Sequence, residues 1–344
     1  MKKAPVVLLL VLFSLFNTAC EKGMAHGDPN AVIVTSPPEW WPELRDSVFA
    51  ILSPDVFTLR DERTFRVWWD DPTDPDWGVK RMFREVVLIG DQEDFWVDQA
   101  LATLHDTVTV RAPGVFQTEN VWARNQKVTL ILVDPREPAP PQVFSMAEEV
   151  HAILDQRFRE GAMRRMFVSG RNTALADTLQ KMAGFSMILP EVYRWGWEDS
   201  LYVFRNDNPS PAELIRQFAV TWKTPIPEPM SAEALADWKE ALSEEHYSYP
   251  QAVDRESLHT RRLALGNMEV FEMRGAWVNP PGSPWPAAGP FILWALRCPP
   301  QDRLYLIDAW LYAPGKDKWE YIIQLETILQ SFRCANGEQA PAVG

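Results

Sequence analysis

The chain has few of the residues on which disulfide-rich and metal-dependent folds are built. Its 344 residues include three cysteines and five histidines. Three cysteines are too few for a fold held together by several disulfides. The histidines, at positions 26, 105, 151, 246 and 259, lack the paired spacing of metal ligands. The sequence therefore predicts no metal site among its histidines.

Basic residues are outnumbered by acidic ones. There are 34 Lys and Arg against 47 Asp and Glu, which gives a net charge of -13. Because binding to nucleic acid requires clustered cations, the charge balance predicts no nucleic-acid partner. The chain is 46% apolar and 24% charged, a balance typical of a folded protein and not of a disordered one.

The signatures of common enzyme classes are missing. We find no glycine-rich phosphate loop ending in Gly-Lys-Ser/Thr, no Gly-x-Ser-x-Gly and no His-Glu-x-x-His. The sequence therefore points to no catalytic residues and to no cofactor.

Long apolar runs are also missing after residue 20, and none approaches the roughly 18 residues of a membrane span. The first 20 residues have the layout of an export signal: Lys2 and Lys3, the apolar segment 6–16, and small residues before Cys20. This ending resembles a bacterial lipoprotein signal, in which Cys20 is lipidated, although Asn17 stands where Leu is usual. The alternative is an ordinary secretory signal with an incidental cysteine.

A lipidated Cys20 would decide where the protein resides. Several acyl chains on one cysteine would hold it on a membrane almost permanently, whereas an acidic body is repelled by anionic lipid. We therefore expect attachment through lipid, outside the cytoplasm, on the periplasmic side of the inner or outer membrane or at the cell surface. Residues 20–30 have no apolar run and predict a flexible tether.

Strands and helices alternate along the rest of the chain, which predicts an α+β fold with mixed α/β elements. The expected parts are a signal peptide (1–19), the tether (20–30), an N-terminal α/β half (31–140), a C-terminal α+β half (141–334) and a disordered tail (335–344). The proline-rich segment 135–141 is the expected pause between the halves.

The C-terminal third is mostly extended. Segments 263–278, 291–297 and 303–312 predict an antiparallel meander. A stripe of Trp, Ile, Leu and Phe in segment 316–332 predicts an amphipathic helix that covers one face of it. Upstream, Ser210-Pro211 resembles a helix start and predicts a helix over 211–222.

Several motifs together carry a resemblance to a known family. In chain order they are Asn120-Val121-Trp122-Ala123 with Gln126, Gly184-Phe185-Ser186-Met187 with Pro190, Glu272-Met273-Arg274-Gly275-Ala276-Trp277, Gly289-Pro290-Phe291, and the segment from Asp308 to Pro314. Their order and spacing resemble the lipoproteins grouped as Domain of Unknown Function 4837, found in Bacteroidetes and their relatives. The resemblance implies an exported, lipid-anchored protein, with no known activity and no catalytic residues to carry over.

Arg274 is the charged residue of interest in these motifs, because it lies in an otherwise apolar strand. A half-buried Arg needs carboxylates or carbonyls for its five donors, and Glu272 shares its face of the strand. One hypothesis is an internal ion pair that fixes strand register. The other is an anion-binding Arg274 in a cleft beneath the loop 279–288, with Glu272 and Trp277 as further ligand-binding residues.

Cys298 and Cys334 follow a predicted strand and the last predicted helix. In an oxidising compartment they are able to pair, and such a bridge stabilises by about 3–4 kcal/mol in the chain-entropy model. Two separate buried thiols are the alternative.

Four carboxylates lie close together between residues 70 and 76, at Asp70, Asp71, Asp74 and Asp76. Carboxylates suit Ca²⁺, but the spacing is not that of an EF-hand and Pro72 and Pro75 restrict the loop. We expect a solvated acidic turn and no metal.

Tryptophan is abundant, with 16 residues, and Trp40, Trp41, Trp68, Trp69, Trp195 and Trp197 lie near the ends of predicted elements. Exposed Trp is common at binding surfaces and in sugar-binding clefts, although core packing is the alternative for each. The sequence thus favours a non-enzymatic, membrane-tethered envelope protein that binds a protein or glycan, or that maintains the envelope. The alternative is an enzyme of unrecognised type that acts on an envelope substrate through Arg274 and a carboxylate.

Overall fold

The computed structural model describes residues 22–207 and 213–335. The predicted leader, Cys20 and residues 336–344 of the predicted tail lie outside the described residues. The chain divides into two compact units. Unit 1 contains the residues up to Pro54 and Thr64–Asp155, and unit 2 contains Asp55–Arg63 and the residues from Gln156 onwards. The division falls at 155/156, whereas the sequence places it in the proline-rich segment.

The elements are numbered in chain order across both units. In unit 1 they are β1 (Ala31–Thr35), α1 (Trp41–Leu52), β4 (Arg66–Trp69), α2 (Trp77–Lys80), β5 (Glu85–Gly90), α3 (Phe95–Leu101), β6 (Gly114–Glu119) and β7 (Lys127–Leu132). Helix α4 (Ala139–Met166) begins in unit 1 and ends in unit 2. It starts within the predicted break, since prolines are tolerated in the first turn of a helix.

The elements of unit 2 begin with the hairpin of β2 (Asp55–Phe57) and β3 (Asp61–Arg63). They continue with α5 (Thr173–Ala183), β8 (Phe185–Ser186), β9 (Arg194–Glu198), β10 (Leu201–Asn206), β11 (Ile215–Lys223), α6 (Ala232–His246), β12 (Ala252–Leu265), β13 (Met268–Val278), β14 (Ala288–Cys298), β15 (Arg303–Tyr312), α7 (Trp319–Gln330) and β16 (Arg333–Cys334). Within residues 22–207 and 213–335, no helix is long and apolar enough to cross a membrane.

Unit 1 is built on a five-stranded sheet with the order β4-β1-β5-β7-β6. The first four of these strands are parallel, and β6 pairs antiparallel with β7. Every residue of β1 and β5 is buried, the pattern of strands in the middle of a parallel sheet. Their apolar side chains pack with Trp96 and Val97 of α3.

Residues 22–30, the described part of the predicted tether, lie against unit 1. The Lys22 ammonium donates to the carbonyls of Asn120 (2.7 Å) and Val121 (2.9 Å). Ala25 is buried, and its N–H donates to the carbonyl of Arg124 at 2.9 Å. This part of the chain is therefore held by hydrogen bonds.

Unit 2 is built on a seven-stranded antiparallel sheet with the order β12-β13-β14-β15-β11-β10-β9. The α+β class and the meander are confirmed, because β12 to β15 lie side by side in chain order. The segment 263–278 is not one strand: the chain reverses at Gly266, where φ is +61°, and Leu265 pairs with Met268. A positive φ favours Gly at such a turn.

The helix predicted over 211–222 is wrong. Residues Ile215–Lys223 form β11, which pairs with β15 on one side and β10 on the other. Its Phe, Val, Thr and Trp residues suit a strand between two others. The Ser210-Pro211 pair that suggested a helix start lies outside the described residues.

Alternation along the strands gives the large sheet two distinct faces. Even-numbered residues of β13 point to one face and odd-numbered residues to the other. The odd face packs against α6, through a core that joins Met273 to Leu235 and Ala236. The even face packs against α7, which reaches it through the Arg274–Glu326 ion pair. The predicted cover of the meander by the last helix is confirmed.

A buried ion pair joins α6 to the odd face. The Lys239 ammonium lies 2.9 Å from Asp308 Oδ2, and both side chains are fully buried. Lys239 also donates to Gln251 Oε1 at 3.0 Å, and the Tyr247 hydroxyl donates to Asp308 Oδ2 at 2.9 Å. Burial and the charge of Asp308 raise the pKa of Tyr247 well above its usual range, so the phenol stays protonated as a donor. These bonds fix the position of α6 on the sheet.

Replacing Lys239→Met should destabilise the protein by about 3–5 kcal/mol, because the buried Asp308 carboxylate would lose its cation. Urea unfolding measures the change. Lys223→Met is the matched control: its exposed ammonium lies 4.4 Å from the Trp238 ring centroid, and its loss should cost under about 1 kcal/mol. Equal stability of the two variants would contradict the role of the pair.

Candidate functional site

Glu272 is the centre of the charged cluster that the sequence singles out. Its side chain is almost fully buried on the even face of β13. Oε1 accepts hydrogen bonds from Arg261 Nε (2.6 Å) and Arg274 Nε (2.7 Å). Oε2 accepts from Trp294 Nε1 (2.9 Å) and from Arg274 Nη2 (3.2 Å). Both carboxylate oxygens are therefore satisfied by donors from three neighbouring strands.

Arg274 links this carboxylate to α7. Its Nη1 donates to Glu326 Oε1 at 2.7 Å, and the other oxygen of Glu326 accepts from Arg159 Nη1 of α4 at 2.8 Å. The Arg159 guanidinium lies 5.1 Å from the Trp319 ring centroid. Arg274 thus faces two carboxylates inside the protein. This geometry is that of the internal ion pair, not of a cation free to hold an anion.

The pKa of Glu272 follows from these contacts. Burial alone would raise it, but the hydrogen bonds and charges of Arg274 and Arg261 outweigh burial, and the pKa lies below its ordinary value of 4.5. The carboxylate is therefore charged at neutral pH and stabilises the fold in that form.

Trp277 does not belong to this cluster. It lies three residues after Arg274 and so points to the odd face, where it packs on Trp310 with ring centroids 5.4 Å apart. Its Nε1 donates to the carbonyl of Leu311 at 3.2 Å. The structure brings Arg274 and Glu272 together and places Trp277 on the other face of the sheet, so the three side chains do not line one cleft. Their ligand-binding role stays a prediction.

The position of Trp277 explains the glycine of the next motif. A Cβ at Gly289 would overlap the carbonyl oxygen of Leu311 and lie 2.8 Å from Trp277 Nε1. The indole crosses β14 where that strand has no side chain. Trp277 and Gly289, which belong to two different motifs, are therefore in packing contact.

Cys298 and Cys334 are joined by a disulfide, with their Cα atoms 6.3 Å apart. Cys298 ends β14, and Cys334 lies in β16, which pairs with β8. The bridge therefore ties the chain that follows α7 to the meander.

Two of the four carboxylates of the acidic loop are paired with one lysine. The Lys80 ammonium lies 2.6 Å from Asp70 Oδ1 and 3.2 Å from Asp76 Oδ2. Asp71 Oδ1 accepts from the backbone N–H and the hydroxyl of Thr73. Among the described residues, no group of three His, Cys, Asp or Glu side chains is placed to hold a metal ion.

The tryptophan pairs divide between core and surface. Trp41 is buried and stacks on Trp69 with centroids 5.3 Å apart, whereas Trp68 is 47% exposed. Trp195 and Trp197 lie on the same face of β9, two residues apart, and their rings stack with centroids 5.4 Å apart at 23°. Trp197 is 56% exposed.

The stacked row continues into the core. Trp195 also stacks on Phe204 of the next strand, with centroids 6.5 Å apart at 22°, and Phe204 is fully buried. Because β9 is the last strand of the sheet, the row runs from the interior to its edge. We call Phe204, Trp195 and Trp197 the aromatic edge.

Sequence reasoning missed the aromatic edge as a unit and the Lys239–Asp308 pair. The signal for Lys239 was present: it interrupts the apolar stripe of α6 at helical spacing from Leu235 and Leu242. Phe204 gave no signal, because its contact with Trp195 depends on strand pairing.

Comparisons with known proteins agree with the family resemblance. Residues 172–331 match the model of the family described as Domain of unknown function (DUF4837), which confirms the predicted resemblance over this segment. The segment includes Arg274, Glu272 and the aromatic edge but not Asn120–Ala123. No curated protein matches the sequence.

Two solved structures are weakly similar to part of the chain. The solution structure of cyanobacterial PsbP (CyanoP) from Synechocystis sp. PCC 6803 is 11% identical, with a TM-score of 0.29, and covers 44% of this chain and 87% of its own. The crystal structure of the Saccharomyces cerevisiae Ran-binding protein Mog1p is 13% identical, with a TM-score of 0.30, and covers 44% of this chain and 90% of its own. Likenesses this weak indicate nothing about what the chain binds.

Glu272→Gln should lower the free energy of unfolding by about 2–3 kcal/mol at neutral pH, because Arg274 and Arg261 lose their shared carboxylate. The folded-state pKa is lowered, so this stability is present above pH 4.5 and is lost as pH falls through the folded-state pKa. The gap between variant and wild type should therefore close in acid. Urea titrations across the acid range measure it.

Glu269→Gln on the same strand is the control. Its carboxylate is 66% exposed and paired with Arg262, so its loss should change stability by under about 0.5 kcal/mol at any pH. A Glu272→Gln effect that stayed constant across the acid range would refute the linkage.

Proposed function

We propose that this chain, which carries a DUF4837 match between residues 172 and 331, is a lipid-anchored envelope protein that binds a glycan chain through its aromatic edge. The exposed Trp197, stacked on Trp195, is the observation that carries the binding function. The anchor rests on Cys20 and the signal-like residues before it.

The aromatic edge suits a ligand that presents a flat apolar face. Trp197 stacks on Trp195, which in turn stacks on Phe204, and this row holds the Trp197 ring in place, so little side-chain freedom is lost when a ligand packs on it. An indole offers a large apolar surface with one polar N–H. The C–H face of a sugar ring is complementary to such a surface.

The charge around Trp197 favours a glycan over a protein partner. The exposed Asp199 lies in the turn that follows β9, whereas alternation places Arg194 and Glu198 on the opposite face of the strand. The Asp199 carboxylate offers hydrogen-bond acceptors to sugar hydroxyls, whereas the centre of a protein interface is depleted of Glu and Asp. A stable protein interface also buries at least about 1,200 Å², and β9 is only five residues long.

The anchor follows from the chemistry of the leader. Cleavage before Cys20 would remove Lys2 and Lys3 and change the net charge from -13 to -15. An anionic lipid surface repels a protein with this net charge and does not contribute to its attachment. Acyl chains, each contributing about 0.8 kcal/mol per buried CH₂, would supply the attachment.

Cys20→Ala should release the protein from the membrane fraction, because the variant lacks the thiol that would carry the acyl chains. Fractionation of cells that express each form, with mass spectrometry of the mature N-terminus, measures this. Wild type should sediment with membranes and carry acyl mass on Cys20. Sedimentation of the variant with membranes would contradict the anchor.

Trp197→Ala should weaken binding to the envelope glycan by about tenfold, the loss of one aromatic contact of about 1.4 kcal/mol. Co-sedimentation with insoluble envelope polysaccharide measures it. Trp285→Ala is the matched control, because Trp285 is 65% exposed and makes no ring contact among the described residues. That variant should bind like wild type.

Digesting the envelope fraction with a glycosidase or a protease before the binding assay distinguishes a glycan from a protein partner. Glycosidase should abolish the co-sedimentation, and protease should leave it intact. Binding that protease abolishes would identify a protein partner and refute the glycan. Equal binding by Trp197→Ala and wild type would refute the aromatic edge as the site.

A further inference from the structure

A second surface, in unit 1, has the form of a small-ligand site. A cleft of about 440 Å³ lies at the carboxyl ends of the parallel strands β5 and β7. Its walls come from residues 91–93 after β5, 110–112 before β6 and 133–136 after β7. The volume falls within the range of about 300–1,000 Å³ typical of small-molecule sites.

The place of the cleft in the sheet favours ligand binding. In open α/β sheets, ligands bind outside the carboxyl ends of the parallel strands, and this cleft lies outside those of β5 and β7. The buried Val133 and the half-buried Val110 and Ala112 supply apolar surface. The other walls are charged.

One charged pair of the cleft is already satisfied. Arg136 donates to Asp134 through Nε, at 2.8 Å from Oδ1, and through Nη2, at 2.5 Å from Oδ2. These hydrogen bonds lower the pKa of Asp134 to about 2. The pair forms a neutral part of the rim.

The remaining charges have no such partner. Within residues 22–207 and 213–335, the Arg111 guanidinium makes no hydrogen bond or ion pair, and neither does the Glu93 carboxylate. Asp91 Oδ1 accepts a hydrogen bond from the Glu93 N–H at 2.7 Å. The cleft thus presents one free cation and two carboxylates beside an apolar floor.

Asp94 holds the loop that carries Asp91 and Glu93 in place. Asp94 Oδ2 accepts the N–H of Asp91 at 2.9 Å, and burial raises the pKa of Asp94 to about 6. A Cβ at Gly90 would overlap that same oxygen. The glycine therefore lets Asp94 hold the backbone at Asp91, where the segment that carries both carboxylates begins.

We propose that this cleft binds a small zwitterion with an ammonium and a carboxylate, such as a free amino acid. The carboxylate of the ligand pairs with Arg111, its ammonium with Asp91 and Glu93, and its side chain with Val110 and Val133. The proposal is independent of the lipid anchor and of the aromatic edge.

Isothermal titration of the purified protein with each of the twenty standard L-amino acids tests it. At least one should bind saturably, and the N-acetylated and amidated forms of that amino acid should each bind about tenfold more weakly, because each lacks one of the two charges. Saturable binding by none of the twenty would overturn the proposal. Equal binding of both capped forms would overturn it as well.

Variants locate the site. Arg111→Gln should weaken binding about tenfold with an unchanged melting temperature, since the guanidinium supports no other contact. Arg45→Gln, an exposed arginine of α1 whose side chain is 61% exposed, is the matched control and should bind like wild type. Wild-type affinity in Arg111→Gln would place the amino acid elsewhere and refute the cleft.

Discussion

The buried carboxylate of Glu272 decides how unit 2 is layered. It takes hydrogen bonds from Arg261, Arg274 and Trp294, and Arg274 continues to Glu326 on α7. Side chains on a strand alternate between faces, so a register slip of one residue would turn Glu272 and Arg274 into the apolar layer under α6. Unpaired charges there would cost several kcal/mol. The strand is thereby held in one register, with α7 on one face and α6 on the other.

The opposite face carries its own buried ion pair, Lys239 with Asp308. On each face of the sheet an ion pair thus ties a helix to a strand. Buried pairs add little net stability compared with apolar residues of similar size, but breaking one is costly. We interpret both pairs as determinants of position. Helices α6 and α7 pack on the two faces, and β9, an edge strand of the sheet, carries the exposed Trp197.

The sequence predicted the fold where a pattern was long and local. The meander and its covering helix have such patterns, and both are present. The helix over 211–222 was wrong because a proline suggested a start, while the pairing of Ile215–Lys223 with two strands decided the outcome. Pairing between strands that are distant in the sequence cannot be detected from a window of ten residues.

The candidate site shows the same limit. Glu272 and Arg274 were expected to meet because they lie two residues apart on a strand, and they do. Trp277 lies three residues from Arg274, and on a strand such an odd spacing places two side chains on opposite faces. Their presence in one sequence motif suggested a shared site in spite of this spacing. The cleft beside Arg111 brings together residues from three separate segments, which only the folded sheet shows.

Hydroxyl-radical footprinting with mass spectrometry, with and without envelope glycan, tests the central claim that the aromatic edge is the binding surface. The account predicts that the glycan lowers the oxidation of Trp197 and Trp195 and leaves the exposed Trp68 and Trp285 unchanged. Unchanged oxidation of Trp197, with protection at Trp68 or Trp285 instead, would contradict it.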